Sequence, residues 1–265
     1  MADRNLDFIP EKIVLIGAGA IGTVIAASLA KSTRIPLTVI ARGSQYQALR
    51  SAPLSLGGKV ECSVKFEVRP RIDFSLAGSL VLVAVKAGDL YETLSQVIVQ
   101  VKSDTVFLFL QNGYGIRETA KAAMASASLP FDALQRAITS IGATLEKPGH
   151  TLYYGGGLVF HPAAEKFGLP AIFNNGFISV RVVPDFSRFC WIKLIVNAVV
   201  NPLSAILNAA NNEIARAYND SLKEPLIREA LTVAKAEGVE LDIDCAFINR
   251  FINSDNLTSM LQDIQ

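Results

Sequence analysis

Six residues near the start of the chain, Gly17-Ala18-Gly19-Ala20-Ile21-Gly22, have the spacing G-x-G-x-x-G. Alone the pattern is weak. Here it follows a β-branched run, Ile13–Ile16, and opens an Ala-rich segment, which is the context that a dinucleotide site requires. Gly17 permits a tight turn, Gly19 lets backbone N–H groups approach a pyrophosphate, and Gly22 lets the helix pack close to the strand. A purely structural glycine turn is the alternative. At the end of the next strand, Ala41-Arg42-Gly43-Ser44 stands where an NAD site usually has an acidic residue. A guanidinium with a hydroxyl nearby suits a 2′-phosphate, so NADP is the expected cofactor; the alternative is a solvated arginine at a strand end. Far downstream, Lys193, Asn197 and Asn201 recur at i, i+4, i+8 within Trp191–Pro202, among Ile, Leu, Val and Ala. Each step turns about 40° around a helix, so the three share one stripe. Buried lysine and buried amides need partners. The stripe therefore points to a polar cleft, or else to an interhelical hydrogen-bond network with a snorkelling lysine.

The elements that must position these groups follow from periodicity. Strands are expected at Ile13–Ile16, Leu37–Ala41, Leu80–Val85 and Thr105–Leu110, with helices at Ala20–Lys31, Gln45–Arg50, Asp89–Val101 and Gly115–Ala127. Leu54–Leu56 and Val60–Val68 bracket Gly57-Gly58, a hairpin signal. Ala137–Leu145, Thr151–Tyr154 and Phe177–Val183 read as extended. From Asp185 onward the pattern is helical: Phe186–Leu207, Leu222–Glu237, Cys245–Phe251 and a last segment from Asn256. Pro202 should kink the first of these near Asn201. The fold class is α/β, a doubly wound sheet over residues 1–183 followed by an all-α domain over 184–265. Lys86 and Asn112 then fall just beyond strand C-termini, on the edge that carries the glycine loop, where ligands of such sheets bind; an ordinary turn residue is the alternative for either.

Composition removes several classes. Twenty-five Lys and Arg against 24 Asp and Glu leave a net charge of +1 with no basic run, which argues against nucleic-acid partners. Three scattered cysteines read as reduced core residues in a cytoplasmic protein, and two histidines cannot form an H-E-x-x-H zinc site. Ile13–Ala30 is uncharged and, as one helix, would rise about 27 Å, enough to cross a bilayer core. Its central glycines and the acidic residues before it argue against an anchor or signal segment. Low charge and high hydrophobicity fit a homodimer, and equally an α/β core.

Taken in order, GAGAIG, the lysine of VAVKAGDL, the following QNG, WIKLIVNAVVNPLSAI and the terminal SMLQDI resemble the ketopantoate reductase (2-dehydropantoate 2-reductase) family. The similarity covers nearly the whole sequence, and the Lys-x3-Asn-x3-Asn-Pro-Leu helix is its specific part. The resemblance implies a Rossmann domain and a helical domain with a cleft between them, and reduction of a 2-oxo acid, 2-dehydropantoate, by NADPH on the route to pantothenate and coenzyme A. It assigns Lys193 as the catalytic proton donor, and Asn112, Asn197, Asn201, Asn211 and Ser259 as substrate ligands. Gly17, Ala18, Gly19, Ala20, Ile21, Gly22, Arg42, Lys86 and Asn112 would contact the cofactor. Hydride delivery to a keto carbon leaves charge on oxygen, which a positioned cation can stabilise and then protonate, and partial burial would lower the lysine pKa toward working pH. Two features depart from the family. His161–Gly176 looks little like its usual helix, and the family pattern continues beyond SMLQDI to a ligand-contacting glutamate and further helices, so a shortened helical domain is expected. Reduction of another 2-oxo acid, or dinucleotide binding with impaired catalysis, are the alternatives.

Overall fold

The structure is a computed structural model that describes residues 8–127, 129–252 and 257–264. The chain separates into two compact units, Met1–Pro184 and Asp185–Gln265.

The first unit is an α/β domain. Its elements begin with β1 (Lys12–Ile16), α1 (Ala20–Ser32), β2 (Leu37–Ile40) and α2 (Gly43–Ser51), then the short strands β3 (Leu54–Gly58), β4 (Cys62–Val64) and β5 (Glu67–Arg69). They continue with β6 (Ser79–Val83), α3 (Leu90–Val97), β7 (Val106–Phe109), α4 (Ile116–Ala123), β8 (Leu134–Thr139), β9 (Gly142–Lys147), β10 (His150–Gly155), β11 (Gly157–Phe160), α5 (Leu169–Phe173) and β12 (Ser179–Val182). Eight strands form one sheet in the order β12-β11-β8-β7-β6-β1-β2-β5, parallel from β5 to β8. The chain leaves β1 for β2 on one side and then crosses to β6 on the other. The switch point therefore lies between the C-terminal ends of β1 and β6, where open α/β sheets bind their ligands.

Strand sequence explains the layers. Ile13, Leu15, Leu80, Leu82 and Leu108 face the core shared with α1, whereas Val14, Ile16, Val81, Val83, Phe107 and Phe109 face the core containing α3 and α4. Alternate side chains point to opposite faces and both faces are covered, which is why these strands read as unbroken apolar runs. A second sheet, β4-β3-β10-β9, lies on the α1 side, its Leu54, Leu56, Val64, Ala143 and Tyr153 sharing the core with α1.

Several expectations are corrected here. The uncharged Ile13–Ala30 run is a strand, a turn and a helix rather than a single span. Val60–Val68 is two strands: β4 pairs back onto β3 as the hairpin signal implied, but β5 leaves to extend the large sheet beside β2. Ala137–Leu145 likewise divides at Ser140 and Ile141 between the two sheets. Gly157–Phe160 is a fully buried strand that the glycines before it concealed. The helix after Asp89 stops at Val97, and the one after Gly115 at Ala123.

The second unit is helical: α6 (Phe186–Leu207), α7 (Asn211–Ile214), α8 (Asp220–Ala236), α9 (Cys245–Phe251) and α10 (Ser259–Ile264). Asn256, the expected start of the last segment, lies outside the described residues. Helix α6 continues through Pro202, and by length and composition it could cross a membrane. It is instead the core helix of its unit. Trp191, Ile195, Val196, Val199, Val200 and Leu203 are buried with Ile227 and Ala234 of α8 and Ile248 of α9.

Candidate active site

Each glycine of the loop after β1 has a separate steric reason. Gly17 has φ +101°, and a Cβ there would lie 2.9 Å from the Ala84 carbonyl carbon. A Cβ on Gly22 would lie 1.9 Å from the Gly17 carbonyl oxygen, so helix and turn could not close. Around Gly19 the space is open, with nothing within 4 Å of such an atom. Gly19 is also the N-cap of α1, no side chain caps that helix end, and its first turn has no acidic residue. Uncapped amides beside open space at the positive end of a 13-residue helix fit the pyrophosphate of a dinucleotide.

The neighbouring strand ends present the other expected residues. Arg42 follows β2 as the N-cap of α2, is exposed, and donates through Nη2 to Gln96 Oε1 at 2.8 Å. Lys86 is exposed just beyond β6. Asn112 follows β7, and its Oδ1 is buried without a hydrogen-bond partner. Beside it Gln111 Nε2 donates to the carbonyls of Val83 and Val85, 3.0 Å each, tying the ends of β6 and β7 together. Because β2, β1, β6 and β7 are adjacent, the glycine loop, Arg42, Lys86 and Asn112 share one sheet edge. An orphaned acceptor, open space at Gly19 and a cation beyond β2 form a cradle into which a dinucleotide fits.

In the helical unit Lys193, Asn197 and Asn201 are partly buried on α6. Among the described residues none of the three side chains makes a hydrogen bond or ion pair. The Lys193 ammonium lies 5.8 Å from the centroid of the Phe251 ring. Burial pushes the Lys193 pKa down from the ordinary lysine value. Asn211 opens α7 with its Oδ1 buried and unpartnered, a second amide oxygen available to a ligand. Ser259 is exposed at the start of α10. Its neighbour Thr258 donates to Ser204 Oγ at 3.1 Å, and Ser204 donates to the Ala209 carbonyl at 2.6 Å. That relay fixes α10 and the entry to α7 against the C-terminal turns of α6. Ser204 lies three residues after Asn201 on the same stripe, a spacing that could have found it.

Lys223 was not anticipated. It is fully buried, yet donates to the carbonyls of Ile214 (2.9 Å) and Arg216 (3.3 Å) and to Asn249 Oδ1, and pairs with Asp220 at 2.8 Å. A lysine so saturated is structural. Lys193, without such partners, has a proton and a charge to offer. No group of three or more His, Cys, Asp or Glu among the described residues could hold a metal.

The family model described as ketopantoate reductase PanE/ApbA matches residues 13–165, and the corresponding C-terminal model matches residues 185–265. The chain belongs to the ketopantoate reductase family. It is thus an enzyme of an NAD(P)-dependent oxidoreductase family, with a Rossmann-type domain followed by a helical one. Among its relatives is a 2-dehydropantoate 2-reductase of Pyrococcus abyssi, 30% identical over 269 residues, covering 96% of this chain and 84% of that one. A PanE/ApbA family ketopantoate reductase from Ralstonia eutropha JMP134 superimposes with a TM-score of 0.81 at 27% identity, covering 96% of this chain and 85% of that one. D-mandelate dehydrogenase, solved with NADH and anilino(oxo)acetate, shares the fold at 21% identity and a TM-score of 0.82, covering 95% of this chain and 84% of that one.

Proposed function

We propose that this ketopantoate reductase family member reduces 2-dehydropantoate to pantoate with NADPH in the cytoplasm, residues 1–183 holding the cofactor and 184–265 the substrate. The observation that carries the reading is Lys193, a partly buried lysine with a lowered pKa and no ion pair, on a stripe with two unengaged asparagines.

When bound, the dinucleotide would supply the hydride that reduces the keto carbon. The remaining work falls to side chains. Lys193 donates a hydrogen bond to the keto oxygen, stabilises the charge that develops there, and gives up its proton to make the hydroxyl. Asn197 and Asn201 orient the substrate carboxylate and hydroxyl without competing for that proton, with Asn211 and Ser259 completing the pocket. Asn112, whose Oδ1 is buried without a partner, would contact cofactor and substrate, and Lys86 would contact the cofactor. Arg42 and the uncapped N-terminus of α2, whose first turn has no acidic residue, would receive the 2′-phosphate.

NADPH oxidation is to be followed with 2-dehydropantoate and with a panel of other 2-oxo acids. Turnover highest with 2-dehydropantoate supports the proposal; a clear preference for an aryl 2-oxo acid moves the substrate to the second reading, which the fold shared with D-mandelate dehydrogenase keeps open. A homodimer accompanies the proposal by analogy with a structure described as a dimeric ketopantoate reductase of Staphylococcus aureus, and sedimentation velocity tests it.

A further inference from the structure

We propose that Gln45 and Thr151 are positioning residues that aim the backbone amides of Gly19 and Ala20 at the cofactor pyrophosphate, making the small β4-β3-β10-β9 sheet a brace for the glycine loop. The proposal rests on the dinucleotide reading of that loop.

Two hydrogen-bonded chains carry it. Gln45, a buried residue of α2, donates from Nε2 to the Ala18 carbonyl at 2.8 Å. Its Oε1 accepts from Gly149 N at 2.9 Å, in the turn between β9 and β10. Thr23, one turn into α1, donates through N–H to the Gly19 carbonyl at 2.9 Å, and its Oγ1 lies 2.8 Å from the same oxygen. That hydroxyl also pairs with Thr151 Oγ1 on β10 at 2.8 Å, and both threonines are fully buried. With Thr23 Oγ1 donating to a carbonyl, Thr151 is the donor in the pair.

A peptide unit is planar and trans, so its C=O and N–H point in opposite directions. Pinning the Ala18 oxygen to Gln45 therefore sets the direction of Gly19 N–H, and pinning the Gly19 oxygen to Thr23 sets that of Ala20 N–H. These two amides open the helix beside the empty space at Gly19. A loop of Gly and Ala has no side chains able to hold such an orientation, and the glycine backbone is free to rotate away from it. The grip comes from outside the loop, and both of its anchors, Gly149 and Thr151, belong to the β9–β10 hairpin.

The test titrates the full chain with NADPH, NADH and adenosine 2′-phosphate by fluorescence and calorimetry, at a temperature where each variant is folded by circular dichroism. Wild type is compared with Gln45→Leu, which loses both bonds, with Gln45→Glu, which keeps the Gly149 bond and loses the donor to Ala18, and with Thr151→Val. Gln45→Leu and Gln45→Glu are expected to weaken the dinucleotide about tenfold and Thr151→Val about threefold, with adenosine 2′-phosphate, which lacks the pyrophosphate, unchanged within twofold. Unchanged dinucleotide affinity in folded Gln45→Glu overturns the proposal, as does equal weakening of both ligands, the signature of a general structural role. Failure of wild type to bind either dinucleotide overturns the cofactor reading itself, and this proposal with it.

Discussion

The Lys193 ammonium lies 5.8 Å from the centre of the Phe251 ring, with no ion-pair partner among the described residues. Burial without a counter-charge lowers its pKa. A proton donor must enter the reaction protonated, so kcat should fall as pH rises through this lowered value, below the usual lysine range of about 10.4. Lys193→Ala is expected to lose at least about 100-fold in kcat while NADPH binding stays within about twofold, measured by steady-state kinetics and fluorescence titration.

The same shift has a stability consequence. In the unfolded chain Lys193 holds its proton to higher pH than in the folded one. The unfolded state thus binds more protons between the lowered value and about 10.4, and stability rises with pH across that interval. Burial of a cation without a counter-charge costs stability below that interval, so Lys193→Met should raise the melting midpoint by about 2–4 °C in a calorimetric scan.

Lys223 should respond in the opposite direction. Its removal strands two carbonyls, Asn249 and Asp220, so Lys223→Met should destabilise the protein by about 3 kcal/mol in urea unfolding. The Lys223 hydrogen bond, and after it that from Asn249, hold the Asp220 carboxyl below its ordinary pKa. This contribution is present above the unfolded carboxylate value and is lost as pH falls through the lower folded one. Asp220→Asn should accordingly flatten the acid limb of the stability profile.

Two glycines three residues apart, Gly19 and Gly22, separate folding from binding. Gly22→Ala places a Cβ 1.9 Å from a carbonyl oxygen and should yield little soluble protein. Gly19→Ala meets no atom within 4 Å, so its melting midpoint should stay within about 2 °C while NADPH affinity drops about tenfold, because the new methyl group occupies space meant for phosphate.

Arg42→Ala should reduce the preference for NADPH over NADH, judged by kcat/KM, by about tenfold or more, with little change in kcat for NADH. A solvated arginine with no role would leave the ratio unaltered.

Much of this was legible in the order of residues. Ile13–Ile16, Leu80–Val85 (a strand that ends at Val83) and Phe186–Leu207 announced themselves because both faces of a central strand, or most of a core helix, must be apolar. The glycine loop and the Lys193 stripe were legible because spacing alone puts their residues together. Gln45, Thr151 and Lys223 were not. Gln45 and Thr151 have their partners far away in the chain, and most of those of Lys223 lie outside its own helix, so no local period marks them; β10 carries Thr151 and pairs with β3 and β9. The division of Val60–Val68 between two sheets was hidden for the same reason, since β4 and β5 pair with different strands.

The hydrogen bonds that grip the glycine loop join residues 104 and 128 positions apart. During synthesis the loop leaves the ribosome long before the hairpin that holds it. Closing contacts of such long range is entropically slow, and domains form as units once their distant partners have emerged. On the proposal above, a nascent chain ending before Gly149 carries the complete glycine motif without its long-range anchors, and full nucleotide affinity is expected only with the β9–β10 hairpin.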